Sequence, residues 1–218
     1  KLDVDPTEID IVEVLAKAGK LGEVCLADEK INGSGFVADF YSNFEEYSRR
    51  ILSGEDLYFE QMLSDQHIAE CDSSCYKCLK TYRNMPYHGL LDWRLGISLF
   101  RIMVDGTYKA GADGNFDYPE LKGWKDLART LLIALNEGFF RKSDGQLVYE
   151  LAETSYGIPY LYDPNQAKMP IFASHPLWEG VAETQILADA VFEASMEQGE
   201  DWNSDNVITI DTFNLLRR

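Results

Sequence analysis

Positive charge is what this sequence has least of. It carries 20 lysine and arginine residues against 37 aspartate and glutamate, a formal net charge of −17 over 218 residues. Such a surface repels phosphate over most of its extent, which argues against broad, autonomous nucleic-acid binding and leaves only a local basic spot. Long apolar runs are missing too: none approaches the roughly 18 residues of a membrane helix. Neither a Gly-x4-Gly-Lys-Ser/Thr phosphate loop nor an Asp-Glu-Ala-His motor motif occurs, so no ATP-hydrolysing engine is legible in the chain. There is no signal peptide, the first residue is Lys1 and the last are Leu-Leu-Arg-Arg, the pattern expected of a piece cut from a longer protein. Cysteine is scarce, and three of the four cysteines are clustered. A disulfide framework would space them more evenly, so the expected compartment is reducing and cytoplasmic.

What is present suits a folded globular protein, with 45% hydrophobic and 12% aromatic residues. Apolar spacing predicts helices over residues 7–18, 34–52, 55–69, 89–104, 119–138 and 179–198. In the fourth of these, 89–104, Leu91, Leu95, Leu99, Ile102 and Met103 form the stripe expected to face the core. Strands are predicted over residues 23–28, 146–151, 158–162, 170–174 and 207–210. The first of these carries Cys25 and reads as buried. Helices dominate the first half and strands gather in the second, which gives an α+β (mixed) fold class. The glycine- and aspartate-rich stretch 105–118 is the best internal boundary. It separates a helical region, 1–106, from an α/β C-terminal region, 107–218, the two packed as one unit.

The densest chemistry lies in Cys71-Asp-Ser-Ser-Cys75-Tyr-Lys-Cys78. Thiolates at i, i+4 and i+7 converge on one ion if the chain bends between them, and Ser73-Ser74 offers the bend. A structural zinc site takes four sulfur or nitrogen ligands in a tetrahedron. The fourth ligand has three candidates: His88, which follows the motif at a helix start; Cys25, on a predicted strand; and His67, four residues before Cys71. The same Cys-x3-Cys-x2-Cys spacing also holds four-iron clusters in radical enzymes. Those motifs favour an aromatic residue just before the last cysteine, where this chain has Lys77.

The wider run, Cys-x3-Cys-Tyr-x-Cys-Leu-x-x-Tyr-x-Asn-x-x-x-His-x-x-Leu-Asp-Trp, resembles the MrfA-type zinc-binding domain. That domain is found at the C-terminal end of DEAD/DEAH-box superfamily 2 helicases and in related phage-defence proteins of the DISARM kind. The glycine turn Asn32-Gly33-Ser34-Gly35-Phe36 looks like the one that precedes a long helix in that family, and the resemblance covers roughly residues 22–104. Many members carry a fourth cysteine a few residues after the third. Here Asn84 lies near that place, and His88 is taken as the fourth ligand. The resemblance implies structural zinc held by Cys71, Cys75, Cys78 and His88. It also implies a non-catalytic accessory role beside a helicase motor or partner subunit, assisting DNA engagement in DNA repair or phage defence.

The motif is locally basic. Lys77, Lys80 and Arg83 are interleaved with Tyr76, Tyr82 and Tyr87, a pattern that suits phosphate contact and base stacking. The candidate nucleic-acid contacts are Lys77, Lys80, Arg83 and Tyr82, the alternative being a solvated loop whose aromatics pack under the metal site. Asp92-Trp93-Arg94 reads as a capping carboxylate with an aromatic anchor. His175 is a candidate catalytic base, although histidines in such a setting are more often structural. Glu150, Glu153 and Asp163 are a conceivable nuclease carboxylate set, so an enzymatic reading, nuclease-like or iron-sulfur, stands as the rival.

Overall fold

The structure is a computed structural model that describes residues 9–14, 23–29, 33–141, 144–165 and 167–217. The chain divides into two compact units, Lys1–Glu60 and Gln61–Arg218. The division therefore falls at residue 60 and not near 106. The loop expected to be a boundary lies inside the second unit, where Arg94 and Arg101 tie one side of it to Glu120 on the other.

In the first unit, strands β1 (Ile9–Val14) and β2 (Glu23–Asp28) form an antiparallel pair, with Ile9 opposite Asp28 and Val14 opposite Glu23. A helix was expected over 7–18. The described part is a strand instead, and residues 7, 8 and 15–18 lie outside the described residues. The reason is visible in Ile-Asp-Ile-Val-Glu-Val, where four of six residues are β-branched and apolar and acidic residues nearly alternate. Strand β2 is where it was expected, but Cys25 on it is exposed.

At the end of β2, the Asp28 carboxylate accepts the backbone N–H groups of Gly35 (3.1 Å) and Val37 (3.2 Å). Gly33 sits at φ 68° with its Cα against that carboxylate, where a Cβ would come within 3.0 Å of Oδ2. Helices α1 (Phe36–Ser42) and α2 (Phe44–Ser53) follow. A single long helix was expected, and Asn43 interrupts it. Its side-chain amide bonds to the Asp39 carbonyl (3.1 Å) and carboxylate (2.9 Å), a local alternative to the helical ladder. Gly54, at φ 69°, ends α2. Helix α3 (Leu57–Met62) runs across the division between the units.

The second unit begins with α4 (Asp65–Glu70) and the cysteine loop, which contains a 3-10 turn at Met85–Tyr87. After it come α5 (Trp93–Val104) and α6 (Trp124–Phe139), strands β3 (Glu150–Glu153), β4 (Pro159–Tyr162) and β5 (Ile171–Ser174), helix α7 (Gln185–Gln198), strand β6 (Ile208–Asp211) and helix α8 (Thr212–Leu215). The sheet order is β3-β4-β5-β6. Its first three strands are antiparallel, and β6 joins β5 in parallel after the crossover through α7. This is an α+β fold. Strand β5 is buried at every position, as Ile-Phe-Ala-Ser suggests: an apolar run with no polar alternation belongs in the interior of a sheet covered by helices. Ala128 and Leu132 of α6, Leu187, Ala190 and Ala194 of α7, and Phe172 of β5 are completely enclosed in this core.

Helix α5 turns the face that its leucines do not occupy toward the interior. Leu99, Ile102 and Met103 are exposed and Leu91 and Leu95 half-buried, while Trp93, Arg94, Ile97 and Ser98 are buried. The polar members of that face are bonded, except that Arg94 Nε is buried without a hydrogen-bond partner. Ser98 Oγ is 3.1 Å from the Tyr108 hydroxyl, and Arg94 donates to three carbonyls.

Candidate metal centre

Ser64 caps α4, its Oγ accepting the His67 N–H at 3.2 Å. His67 and Cys71 are one helical turn apart, so their side chains leave the same face of the chain. The helix stops at Cys71, which is extended (φ −134°, ψ 100°) and turns the chain toward Cys75. There Cys75 O accepts from Cys78 N (3.1 Å) and Lys80 N (3.0 Å), closing a tight knuckle. Main-chain N–H groups point at sulfur within it: Cys75 N donates to Cys78 Sγ at 3.1 Å and Lys77 N to Cys75 Sγ at 3.3 Å.

The outcome is a four-sided cluster. His67, Cys71, Cys75 and Cys78 bring one ligand atom each to within 4.8 Å of all the others, and these residues could hold a metal ion. Cys71 Sγ is 3.9 Å from Cys78 Sγ, and Cys75 Sγ is 3.5 Å from His67 Nε2. His67, Cys71 and Cys78 are buried and Cys75 is half-buried. The hydrogen bond from Cys71 holds Cys78 well below the usual thiol range, helped by backbone donors. The same bond, together with burial and the neighbouring negative charge, pushes Cys71 up. A cleft of about 410 Å³ lined by Gln61, Ser64, Gln66, His67, Glu70 and Lys77 lies beside His67.

The support behind the ligands comes from the start of α5. Trp93 donates its indole N–H to the Cys71 carbonyl (3.0 Å) and its backbone N–H to the Ser73 carbonyl (2.8 Å). Its ring meets the His67 ring edge-on with centroids 5.2 Å apart. Arg94 lies over the Trp93 ring, 4.7 Å from its centroid, and donates to Ile68 O at the end of α4 and to Glu120 O and Lys122 O. A guanidinium at the carbonyl end of α4 also complements the helix dipole. Asp92 accepts the Leu95 N–H at 3.0 Å and caps α5, so the carboxylate-and-anchor reading of Asp92-Trp93-Arg94 holds.

His88, the fourth ligand chosen from the sequence, is outside this cluster. Its Nε2 faces two acceptors, Thr81 O at 2.9 Å and Asn84 Oδ1 at 3.0 Å, and therefore carries a proton. Its ring stands edge-on to Tyr76. Asn84, near where the resemblance places a fourth cysteine, also accepts from Thr81 N (2.8 Å) and donates to Leu79 O (2.9 Å). The two residues lock the loop that follows the knuckle. His67, one of the three candidates, is the fourth member of the cluster. The signal for it was the one-turn spacing His67-x3-Cys71 at the end of a helix.

Of the candidate nucleic-acid contacts, Tyr82, Lys77 and Arg83 are exposed and Lys80 is half-buried. Lys77 Nζ is paired with Glu70 at 3.1 Å. The structure does not bring the carboxylates Glu150, Glu153 and Asp163 together: Glu150 accepts from the Tyr162 hydroxyl, Glu153 pairs with Arg129, and Asp163 is buried and accepts from Asn165. Among the described residues, His67, Cys71, Cys75 and Cys78 are the one set of His, Cys, Asp and Glu side chains able to surround an ion. His175 is buried between Trp124 and Trp178, its Nδ1 accepting the Leu177 N–H at 3.2 Å. Also among the described residues, no helix is long and apolar enough to cross a membrane. No family model matches the chain, and no curated protein or solved structure was found to be similar to it.

Proposed function

We propose that the second unit is clasped by a structural zinc ion and serves as a non-catalytic accessory module of a helicase-like protein. The observation that carries the clasp is the Cys3His set itself. A tetrahedral zinc with Zn–S bonds of about 2.3 Å sets its sulfurs about 3.8 Å apart, and Cys71 Sγ and Cys78 Sγ are separated by 3.9 Å. A four-iron cube would hold its thiolates farther apart, because each sulfur sits outside a different iron atom. Four protein ligands complete a zinc tetrahedron and leave no position for a reacting water, which favours structure over catalysis at the metal. His67, Cys71, Cys75 and Cys78 would hold the ion, and Trp93 and Arg94 keep the ligand-bearing segments in place.

The accessory role rests on the resemblance of residues 22–104 and on the absence of motor motifs from the sequence. In this reading the unit packs on a motor core or partner subunit and helps to engage DNA in repair or phage defence. Elemental analysis and an absorption spectrum of the purified chain test it together. The expected result is one zinc per chain, no visible colour, and no ATP hydrolysis by the chain alone. A brown protein with an iron-sulfur charge-transfer band would refute it, as would a folded protein that binds no metal.

A further inference from the structure

From Ser73 to Leu91 the chain carries no acidic residue, in a protein with 37 of them. Lys77, Lys80, Arg83 and His88 all fall in that window. Large side chains stand out in solvent within it: Tyr82 is 86% exposed, Tyr76 68%, Leu90 62%, Tyr87 61% and Met85 50%. The alternative, aromatics packed under the metal site, is not what the structure shows for these tyrosines. Trp93 fills that place.

The exposed rings are also held on a fixed frame. The knuckle anchors one end of the window through Cys75 and Cys78. His88 and Asn84 bind the Thr81 backbone on one side of Tyr82, and the 3-10 turn Met85–Tyr87 sets Tyr87, with Leu90 N donating to Tyr87 O at 2.8 Å. Tyr76 leans edge-on against His88. A frame of this kind removes much of the ordering cost of binding. Exposed aromatics on a fixed backbone frame, in a stretch that carries cations and no acidic residue of its own, match a polyanion whose bases present open faces: each base stacks on a ring while its phosphate meets a lysine or arginine.

We infer that residues 76–90 form a docking surface for single-stranded DNA, with Tyr82, Tyr87 and Tyr76 as stacking platforms and Lys80 and Arg83 as the phosphate contacts. A duplex, with its bases already stacked, gains only the cation contacts. Lys77, paired with Glu70 at 3.1 Å, is the third cation of the surface. The inference rests on the zinc-clasp reading, since the clasp holds one end of the frame.

The test is fluorescence anisotropy with a labelled twenty-nucleotide oligo(dT) and a duplex of equal length, using the full chain and measuring zinc content on the same samples. The single strand is expected to bind more tightly than the duplex, with a log–log salt slope of about −2 for three cations. Tyr82→Ala is expected to weaken binding about tenfold or more, and Lys80→Glu with Arg83→Glu to abolish it, zinc content unchanged. Equal or tighter binding of the duplex, no binding by zinc-loaded protein, or binding indifferent to these substitutions would overturn the inference while leaving the clasp intact. Protein that folds without zinc would overturn the clasp and this surface together.

Discussion

His175 gives the sharpest quantitative handle on the second unit. Its imidazole is buried among Trp124 and Trp178, and burial pushes its pKa down from 6.5 to about 4, with Asp211 opposing the shift. The unfolded chain takes up a proton at this residue as pH falls through about 6.5, and the folded chain does not until about 4. Between those limits the unfolded state binds more protons, so stability rises with pH. His175 therefore adds nothing to pH dependence above pH 7. Below about 6.5 it costs stability at about 1.4 kcal/mol per pH unit, reaching about 3 kcal/mol near pH 4. In a domain of this size that is a melting shift of roughly 10 °C. The perturbation is His175→Asn, which keeps an acceptor for the Leu177 N–H and removes the titration. Urea or thermal unfolding of both proteins from pH 7.5 to 4.5 gives their stability difference. Proton uptake elsewhere in the chain is common to both and cancels. The difference is expected to be constant above pH 7 and to shift in favour of the variant by about 2–3 kcal/mol by pH 4.5. Parallel profiles across the whole range would refute the assignment of a buried, neutral His175.

His67→Ala is expected to lower zinc occupancy severely and to destabilise the second unit, whereas His88→Ala leaves the metal bound; elemental analysis of the two variants decides between the histidines. Trp93→Phe removes the donor to the Cys71 carbonyl and is expected to weaken zinc affinity about tenfold, the scale of supporting contacts around metal ligands, read by competition with a chromogenic chelator. Arg101→Met leaves the fully buried Glu120 carboxylate without its bidentate partner and is expected to cost about 3–5 kcal/mol in chemical denaturation, while the double change with Glu120→Gln recovers part of it. Acidification below about pH 6 is expected to release the metal, because every ligand must be deprotonated to bind it, with the loss read by chelator absorbance.

Local signals carried much of this protein. Strands β4 and β5 are legible because short apolar runs with turn residues at both ends have few other uses. Helix α6 is legible from Leu127, Leu131 and Leu135, of which the first and third are buried and the second packs at the edge of the core. Residues 9–14 were not, since Ile9, Val12 and the acidic positions fit a helical period nearly as well as an alternating one. Pairing with β2 decides the matter, and pairing is a long-range event. The stripe on α5 misled for a different reason. Hydrophobicity assigns leucines to the core, but Arg94 and Ser98 found buried partners at Ile68, Glu120, Lys122 and Tyr108, and those partners are distant in sequence.

The metal centre divides along the same line. Cysteines at i, i+4 and i+7 around a serine bend are a local pattern, so the sequence alone determines that three thiols converge where an ion could be held. The fourth ligand depends on where α4 stops and which way its last turn faces, and that is set by the Ser64 cap, by Trp93 against His67 and by Arg94 at the end of the helix. Two of those three contacts come from beyond the cysteine loop. Only the tertiary structure could choose His67 over His88, and it turns His88 to a second use, as the bolt of an exposed aromatic loop.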